Sequence, residues 1–159
     1  MTSIHDATYE HIAQWVSDQG QPRFRADQIW NWVWAKGVST FAHMRNIPQA
    51  LRDELASAFF FALPAVADVQ TSQDGSIKLL LKLADGHLVE TVLIPGQTHY
   101  TQCLSSQVGC ALGCTFCSTG QMGLTRNMTA GEIAGQVLLA RHHLEQPHSG
   151  LRLRNLVFM

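Results

Sequence analysis

Residues 101–117 read Thr-Gln-Cys-Leu-Ser-Ser-Gln-Val-Gly-Cys-Ala-Leu-Gly-Cys-Thr-Phe-Cys, and this stretch decides the fold. Its first part, about residues 101–106, has the character of a β-strand and leads into a loop with the spacing Cys-x3-Cys-x2-Cys. A helix is predicted next, because Thr129 and Glu132 form a capping box in which each side chain satisfies the other's free backbone N–H. The apolar run 153–159 then predicts a second strand. This order is that of a βαβ unit, whose two strands are parallel.

The helix after the capping box has a clear apolar stripe and a clear stop. The stripe consists of Ile133, Val137, Ala140 and Leu144, and Gln146-Pro147 is expected to end the helix. The sequence stops inside the last predicted strand, and two parallel strands alone would leave an apolar edge uncovered. We therefore expect the chain to be a fragment.

The residues before this unit divide into two segments. Residues 1–63 are predicted to form a helical accessory domain, with helices over about 7–16, 25–36 and 48–60. Residues 64–100 alternate with period two and carry Asp-Gly turns, which predicts a small antiparallel β segment with strands at about 66–72, 76–83 and 87–94. The predicted fold class is therefore an α+β N-terminal part followed by the first βαβ unit of an α/β fold over residues 101–159.

The second predicted helix contains Trp30, Trp32 and Trp34. At two-residue spacing these side chains cannot share one helical face, so at least one is expected to be exposed or to meet a neighbouring domain. Packing in the core and between domains is the simpler explanation. A stacking surface for RNA bases is the alternative.

Glu90 is a carboxylate in an apolar row of the third predicted strand. One face of that strand carries Leu88, Glu90, Val92 and Ile94, and the other carries Val89, Thr91 and Leu93. A strand edge, or a cross-strand partner such as Lys78 or Lys82, explains Glu90 simply. The alternative is a carboxylate that the protein holds available as a general base.

The composition excludes several classes of protein. The 159 residues have 11 Lys and Arg against 12 Asp and Glu, with 46% hydrophobic and 14% charged residues, which excludes an intrinsically disordered chain. The longest apolar run, 58–67, is half of the roughly 20 residues that a membrane span needs, and the first twenty residues are polar. A cytoplasmic protein is expected. The near-neutral charge argues against a nucleic-acid partner.

All four cysteines, Cys103, Cys110, Cys114 and Cys117, fall within fifteen residues. Such clustering points to a metal, a cluster or redox chemistry rather than to a disulfide framework. Three thiolates at this spacing can hold three irons of a [4Fe–4S] cluster and leave the fourth iron open to a small molecule. The alternative is a structural zinc site with Cys103 as the fourth ligand, although its distance from Cys110 in the sequence is too long for a zinc knuckle.

These motifs resemble a known family. Cys-x3-Cys-x-Phe-Cys is similar to the cluster motif of the radical S-adenosylmethionine (SAM) superfamily. A wider set of segments resembles the RlmN/Cfr group of RNA adenine methyltransferases, and RlmN more than its antibiotic-resistance relative. These segments are 24–29, 89–92, 94–95, 103–110, 116–120, 126–129 and 132–137.

The resemblance implies a fold and an activity. Residues 101–159 would begin a truncated α/β radical SAM partial barrel, and the enzyme would methylate carbon 2 of an adenine in 23S rRNA and in some tRNAs. Its cofactors would be a [4Fe–4S] cluster and S-adenosyl-L-methionine, and its reaction would pass through a methyl-cysteine intermediate and a 5′-deoxyadenosyl radical. By the same resemblance, Cys110, Cys114 and Cys117 are the cluster ligands, and Phe116 lies next to SAM.

Two further residues match catalytic positions of the family. Glu90 matches the proton acceptor, and Cys103 matches the resolving cysteine, which forms a disulfide with the formerly methylated cysteine. The implied partners are 23S rRNA, tRNA and an electron donor for cluster reduction, with no membrane, and a monomer is expected. The family's SAM-binding turn and methyl-carrying cysteine would follow Met159, so we expect this chain alone to be inactive. The alternative from another class is a non-catalytic iron–sulfur or zinc module that binds RNA or a protein.

Overall fold

A computed structural model describes residues 1–145 and 150–159, and in it the chain divides between Ala62 and Leu63 into two units. The predicted helix stop at Gln146-Pro147 lies outside the described residues. The division falls one residue before the boundary expected after residue 63. Each unit has a hydrophobic core of its own.

The first unit, Met1–Ala62, is mainly helical. Its elements in chain order are β1 (Thr2–Ser3), α1 (Tyr9–Asp18), α2 (Phe24–Trp30), a π-helical turn (Asn31–Ala35), a 3-10 turn (Phe41–His43), α3 (Gln49–Ala58) and β2 (Phe59–Phe60). The Thr8 hydroxyl caps α1 by accepting a hydrogen bond from the backbone N–H of His11 at 3.1 Å. In α3, Leu51 and Leu55 lie one turn apart and are buried, so their face packs into the core. The structure thus contains the three predicted helices, with shifted ends.

The three tryptophans of the second predicted helix pack against the core, as the simpler explanation expected. Trp30, Trp32 and Trp34 are all partly buried, and all three pack against the core of the first unit. The α-helical hydrogen-bond pattern changes at Asn31, where the π-helical turn Asn31–Ala35 begins.

The second unit, Leu63–Met159, is built on a sheet. Its elements in chain order are β3 (Ala65–Thr71), β4 (Ile77–Lys82), β5 (Leu88–Pro95), β6 (His99–Leu104), β7 (Gln107–Gly109), α4 (Ser118–Gln121), β8 (Leu124–Asn127), α5 (Ala130–Glu145) and β9 (Arg152–Phe158). Five strands form one sheet in the order β3-β4-β5-β6-β9. The strands from β3 to β6 are antiparallel, and β9 pairs in parallel with β6. These pairings confirm the predicted antiparallel segment and the predicted βαβ unit.

The sheet continues across the expected boundary at residue 100. Because β5 pairs with β6, residues 64–100 and 101–159 belong to one sheet rather than to separate segments. The capping box of α5 is present, with Glu132 N–H donating to the Thr129 hydroxyl at 3.1 Å and Thr129 N–H donating to the Glu132 carboxylate at 2.9 Å. Gly75 and Gly86 turn the two hairpins with positive φ angles of 83° and 88°, as the Asp-Gly pairs predicted.

The two faces of this sheet differ in burial. The core face carries buried side chains from three neighbouring strands together with Ala140 of α5: Leu79, Leu81, Val89, Leu93 and Tyr100. The opposite face of β5 is more open, since Leu88 is 52% and Ile94 43% exposed. We call this second side, which carries Leu88, Glu90, Val92 and Ile94 of β5, the open face.

Within 1–145 and 150–159, no helix combines the length and the apolar character that crossing a membrane requires.

Candidate functional site

The cysteine loop, residues 110–117, lies between β7 and α4 and is closed at its base by a short hairpin. There β7 pairs with β8 in antiparallel fashion, a pairing that the sequence analysis did not predict. The backbone N–H of Cys110 donates to the carbonyl oxygen of Gly123 at 3.0 Å. Gly109 has a φ of +79°, and a Cβ at this position would lie 1.9 Å from that same oxygen. Only glycine therefore lets the two ends of the loop approach this closely.

Further contacts fold the loop tightly around its second and third cysteines. The backbone N–H of Cys117 donates to the carbonyl oxygen of Cys114 at 3.1 Å. Gly120 of α4 packs on the same backbone, because a Cβ there would lie 2.9 Å from the nitrogen of Cys114. The side-chain amide of Gln121 donates to the carbonyl oxygen of Thr115 at 2.8 Å. These contacts hold the backbone of the loop, and none of them uses the sulfur atom of Cys114 or Cys117.

The thiols of the loop fit an iron–sulfur cluster by their chemistry. Cys110, Cys114 and Cys117 are free and half-buried. The backbone N–H of Leu112 donates to the Sγ of Cys110 at 3.5 Å, the kind of hydrogen bond that tunes cluster sulfurs. Over residues 1–145 and 150–159, no three His, Cys, Asp or Glu side chains are already gathered around a point where a metal ion would bind. The structure thus brings three cysteines onto one loop but does not preassemble their sulfur atoms.

The cysteine loop and the residues just after it expose apolar side chains to solvent. Phe116 is 91% exposed, and Leu112 and Met122 are 82% and 77% exposed. The position of Phe116 between two cysteines keeps its ring at the rim of the loop. Its contact with SAM stays a prediction.

The sheet brings Glu90 and Cys103 onto the same face. Val92 of β5 is the cross-strand partner of Cys103 of β6, so these two side chains share a face. Glu90 lies two residues from Val92 and therefore shares that face as well. Thr91 and Gln102, which alternate with these residues, are completely buried on the other side.

Glu90 has the partner that the simpler explanation predicted. The Lys78 Nζ lies 3.1 Å from the Glu90 Oε1, and both side chains are well exposed, at 38% and 50%. The ion pair spans β4 and β5 diagonally on the open face. The contact confirms the predicted cross-strand pairing, and the role of Glu90 as a proton acceptor stays a prediction.

An ion-pair network lies beside the cysteine loop, and sequence reasoning missed it. Arg126 of β8 donates two hydrogen bonds of 2.8 Å to the two oxygens of the Glu132 carboxylate. It also donates to the Asp85 Oδ2 in the β4–β5 turn, at 2.6 and 2.8 Å. These bonds lower the pKa of Asp85 to about 2, lower the pKa of Glu132 and raise that of Arg126. The network thus connects the exit of the loop, the start of α5 and a hairpin turn.

A buried polar network under the sheet was also missed. Thr91, Gln102 and Gln136 are completely buried, and hydrogen bonds link them. The side-chain amide of Gln136 also binds both backbone groups of Ser105, the first residue after β6. A glutamine within the apolar part of a predicted helix was the available signal, because a polar side chain is buried only with partners.

The basic residues of the first unit are partly used within it. The sequence offers Arg23, Arg25, Lys36, Arg45 and Arg52 as candidates for phosphate contacts. Arg25 and Arg52 donate to the backbone carbonyls of Asn46 and Ala42, at 2.9 and 2.6 Å. The Lys36 ammonium lies 3.6 Å from the centre of the Trp32 ring. These three side chains therefore have structural contacts that any RNA would have to share or replace.

Comparison with solved structures defines the class. A crystal structure of a radical SAM methyltransferase from Sphaerobacter thermophilus matches 99% of this chain with a TM-score of 0.87 and 35% sequence identity. The match covers 47% of that protein. The sheet, α5 and the cysteine loop thus form part of a radical SAM methyltransferase fold.

Comparison with known sequences gives the family. The model of the family "Ribosomal RNA large subunit methyltransferase N-terminal domain" matches residues 2–60. Proteins named "Dual-specificity RNA methyltransferase RlmN" are 53% identical in Nitratidesulfovibrio vulgaris (Miyazaki F) and 47% identical in Solidesulfovibrio magneticus, over the whole of this chain. The chain spans 45% of the length of each. Over its whole length, the chain is therefore similar to slightly less than half of an RlmN protein.

Proposed function

We propose that this chain is the part of an RlmN-type enzyme that binds the iron–sulfur cluster and supplies two of its catalytic side chains. The complete enzyme would methylate carbon 2 of adenine in 23S rRNA and in some tRNAs. The observation that carries this proposal is the Cys-x3-Cys-x2-Cys loop between β7 and α4, directly after the strand that bears Cys103. The names of the similar proteins support RNA as the substrate.

The loop residues would hold the cofactors. Cys110, Cys114 and Cys117 would each ligate one iron of a [4Fe–4S] cluster, and the fourth iron would stay open to SAM. When bound, this cluster supplies the electron that cleaves SAM and so starts the radical chemistry. Phe116, at the rim of the loop, would contact SAM on one side. The close contact of Gly109 and Cys110 with Gly123 would fix the two ends of the loop that carries the three thiolates.

The open face would contribute Glu90 and Cys103. Because Glu90 is half-exposed, its carboxylate can reach an adenine that lies over β5 and β6 and can accept the proton from carbon 2. The Cys103 thiol on the same face would resolve the covalent enzyme–RNA adduct by forming a disulfide with the methyl-carrying cysteine. Lys78, 3.1 Å from Glu90, would orient the carboxylate in the absence of RNA.

The proposal also covers the electron donor, the RNA partners, the location and the oligomeric state of the enzyme. The enzyme would need an electron donor for cluster reduction, and 23S rRNA and tRNA would be its macromolecular partners. A cytoplasmic location and a monomeric state remain predictions from the sequence. The chain spans less than half of such an enzyme. Its near-neutral charge would therefore describe only part of the RNA-binding surface.

Anaerobic reconstitution with iron and sulfide tests the proposal. The expected product is a brown protein whose reduced form has the EPR spectrum of a [4Fe–4S] cluster, and this spectrum is expected to change when SAM is added. A colourless protein that binds one zinc ion tetrahedrally would contradict the proposal. It would instead support a non-catalytic zinc module that binds RNA or a protein partner.

A further inference from the structure

Gln136 is a completely buried glutamine in the middle of α5. A buried amide is unfavourable unless its donor and its acceptor are both hydrogen-bonded. Here the Gln136 Oε1 accepts a hydrogen bond from the backbone N–H of Ser105 at 3.0 Å. The Gln136 Nε2 donates to the carbonyl oxygen of Ser105 at 2.7 Å. One side chain therefore satisfies both backbone groups of one residue.

Ser105 occupies a critical position, because it is the first residue after β6 and leads towards the cysteine loop. The pair of hydrogen bonds from Gln136 resembles the pairing that a neighbouring strand would provide. Of glutamine, glutamate, leucine and asparagine, only glutamine at position 136 can form both hydrogen bonds with Ser105. Glutamate has no donor for the Ser105 carbonyl, leucine has neither group, and asparagine is one methylene shorter.

The same network fixes the backbone at Glu90 and at Cys103. The Ser105 hydroxyl donates to the carbonyl oxygen of Glu90 at 2.7 Å. The Thr91 hydroxyl donates to the carbonyl oxygen of Cys103 at 2.7 Å and accepts a hydrogen bond from the Gln102 Nε2. The same Gln102 Nε2 donates to the carbonyl oxygen of Gln136 at 3.0 Å. Hydrogen bonds thus lead from α5, through Ser105, Thr91 and Gln102, to the backbone of both Glu90 and Cys103.

We propose that Gln136 is a positioning residue: its amide fixes Ser105 and thereby holds Cys103 in place on the open face beside Glu90. The chemical importance of Cys103 rests on the proposed function, whereas its placement by Gln136 rests on the hydrogen bonds alone. The side chain of Gln136 acts from the opposite side of the sheet and does not itself reach the open face.

The test measures the reactivity of each cysteine in the full 159-residue chain without iron. The reduced protein is treated with iodoacetamide under native conditions, and peptide mapping by mass spectrometry gives the alkylation rate of each thiol. In Gln136→Leu we expect the Cys103 rate to rise about tenfold or more, because the loss of both hydrogen bonds to Ser105 shifts the local opening equilibrium by at least that order. The rates of the three loop cysteines are expected to change less than about twofold, because Gln136 does not contact them.

Two further variants keep the test decisive. Gln136→Met keeps the length of the side chain and loses both hydrogen-bonding groups without adding a charge, so it serves if the leucine variant does not fold, and it too is expected to expose Cys103. Leu138→Ala removes a buried side chain of the same helix and leaves both hydrogen bonds between Gln136 and Ser105 in place. Leu138→Ala is compared with a Gln136 variant that loses the same amount in Tm. If both variants increase the alkylation rate of Cys103 equally, Gln136 contributes only to stability and the proposal is wrong. Because the test uses no iron, SAM or RNA, failure of cluster binding would not affect its result.

Discussion

Glu90 and Cys103 lie on the same face of the five-stranded sheet, the face opposite the core side. They come from β5 and β6, and the antiparallel pairing of these two strands brings them together. Cys103 faces Val92, two residues from Glu90, so the two side chains are diagonal neighbours. One sheet can therefore present a carboxylate and a thiol to the same substrate.

Arg126→Met is expected to destabilise the second unit. The substitution removes the paired hydrogen bonds to Glu132 and the contacts with Asp85, which connect β8 to α5 and to the β4–β5 turn. We expect the Tm to fall by about 4 to 8 °C, as measured by circular dichroism at the β-sheet wavelength. Arg154→Met, at an exposed position on β9, is the matched control. Equal Tm values for the two variants would show that the network contributes nothing.

The same network predicts an acid dependence. The pKa of Asp85 is lowered from 3.8 to about 2 by its hydrogen bonds with Arg126. A lowered carboxyl pKa contributes stability that is present above pH 3.8 and is lost as the pH falls towards 2. The stability difference between the wild type and Asp85→Asn, from urea unfolding, should therefore be constant above pH 3.8 and shrink towards zero near pH 2. A difference that does not change with pH would contradict this prediction.

His5 predicts a pH effect in the first unit at milder pH. Its ring is buried between Trp34 and Phe61, and burial lowers its pKa from 6.5, partly opposed by the charge of Asp6. The folded unit therefore resists protonation, and its stability is expected to fall as the pH decreases below 6.5. All four tryptophans belong to this unit, so their fluorescence reports its unfolding alone. His5→Phe should remove most of the dependence between pH 7 and 5, whereas the exposed control His43→Phe should retain it.

The closure of the cysteine loop can be tested with two glycines. Gly109 and Gly113 both have positive φ angles, but only at Gly109 would a Cβ collide with the Gly123 carbonyl. Gly113→Ala is expected to reduce the free energy of unfolding by about 1 to 2 kcal/mol through backbone strain alone. Gly109→Ala should reduce it by about twice as much or more, because the β7–β8 pairing must also shift. Equal effects in urea unfolding would show that the close contact at Gly109 is unimportant.

Much of the fold could be predicted because its signals are local. The capping box of Thr129 and Glu132, the Asp-Gly turns and the alternation in β5 depend on neighbouring residues only, and the structure confirms each of them. The cysteine loop could also be recognised from its spacing.

The missed features depend on contacts between distant residues. Arg126 and Asp85 are 41 positions apart, and no local pattern links them. Gln136 and Ser105 are 31 positions apart, and the β7–β8 pairing joins segments that the sequence shows only as a loop. The π-helical turn that begins at Asn31 is likewise not revealed by the helical period of the sequence.

The central claim is that three of the four cysteines hold the cluster and that Cys103 has a separate role. Counting iron and sulfide per chain after anaerobic reconstitution of the four single Cys→Ala variants tests it most directly. We predict that Cys103→Ala retains the wild-type content of about four irons, whereas alanine at Cys110, Cys114 or Cys117 reduces it to less than about half. A loss of iron in Cys103→Ala equal to that in the loop variants would contradict the account.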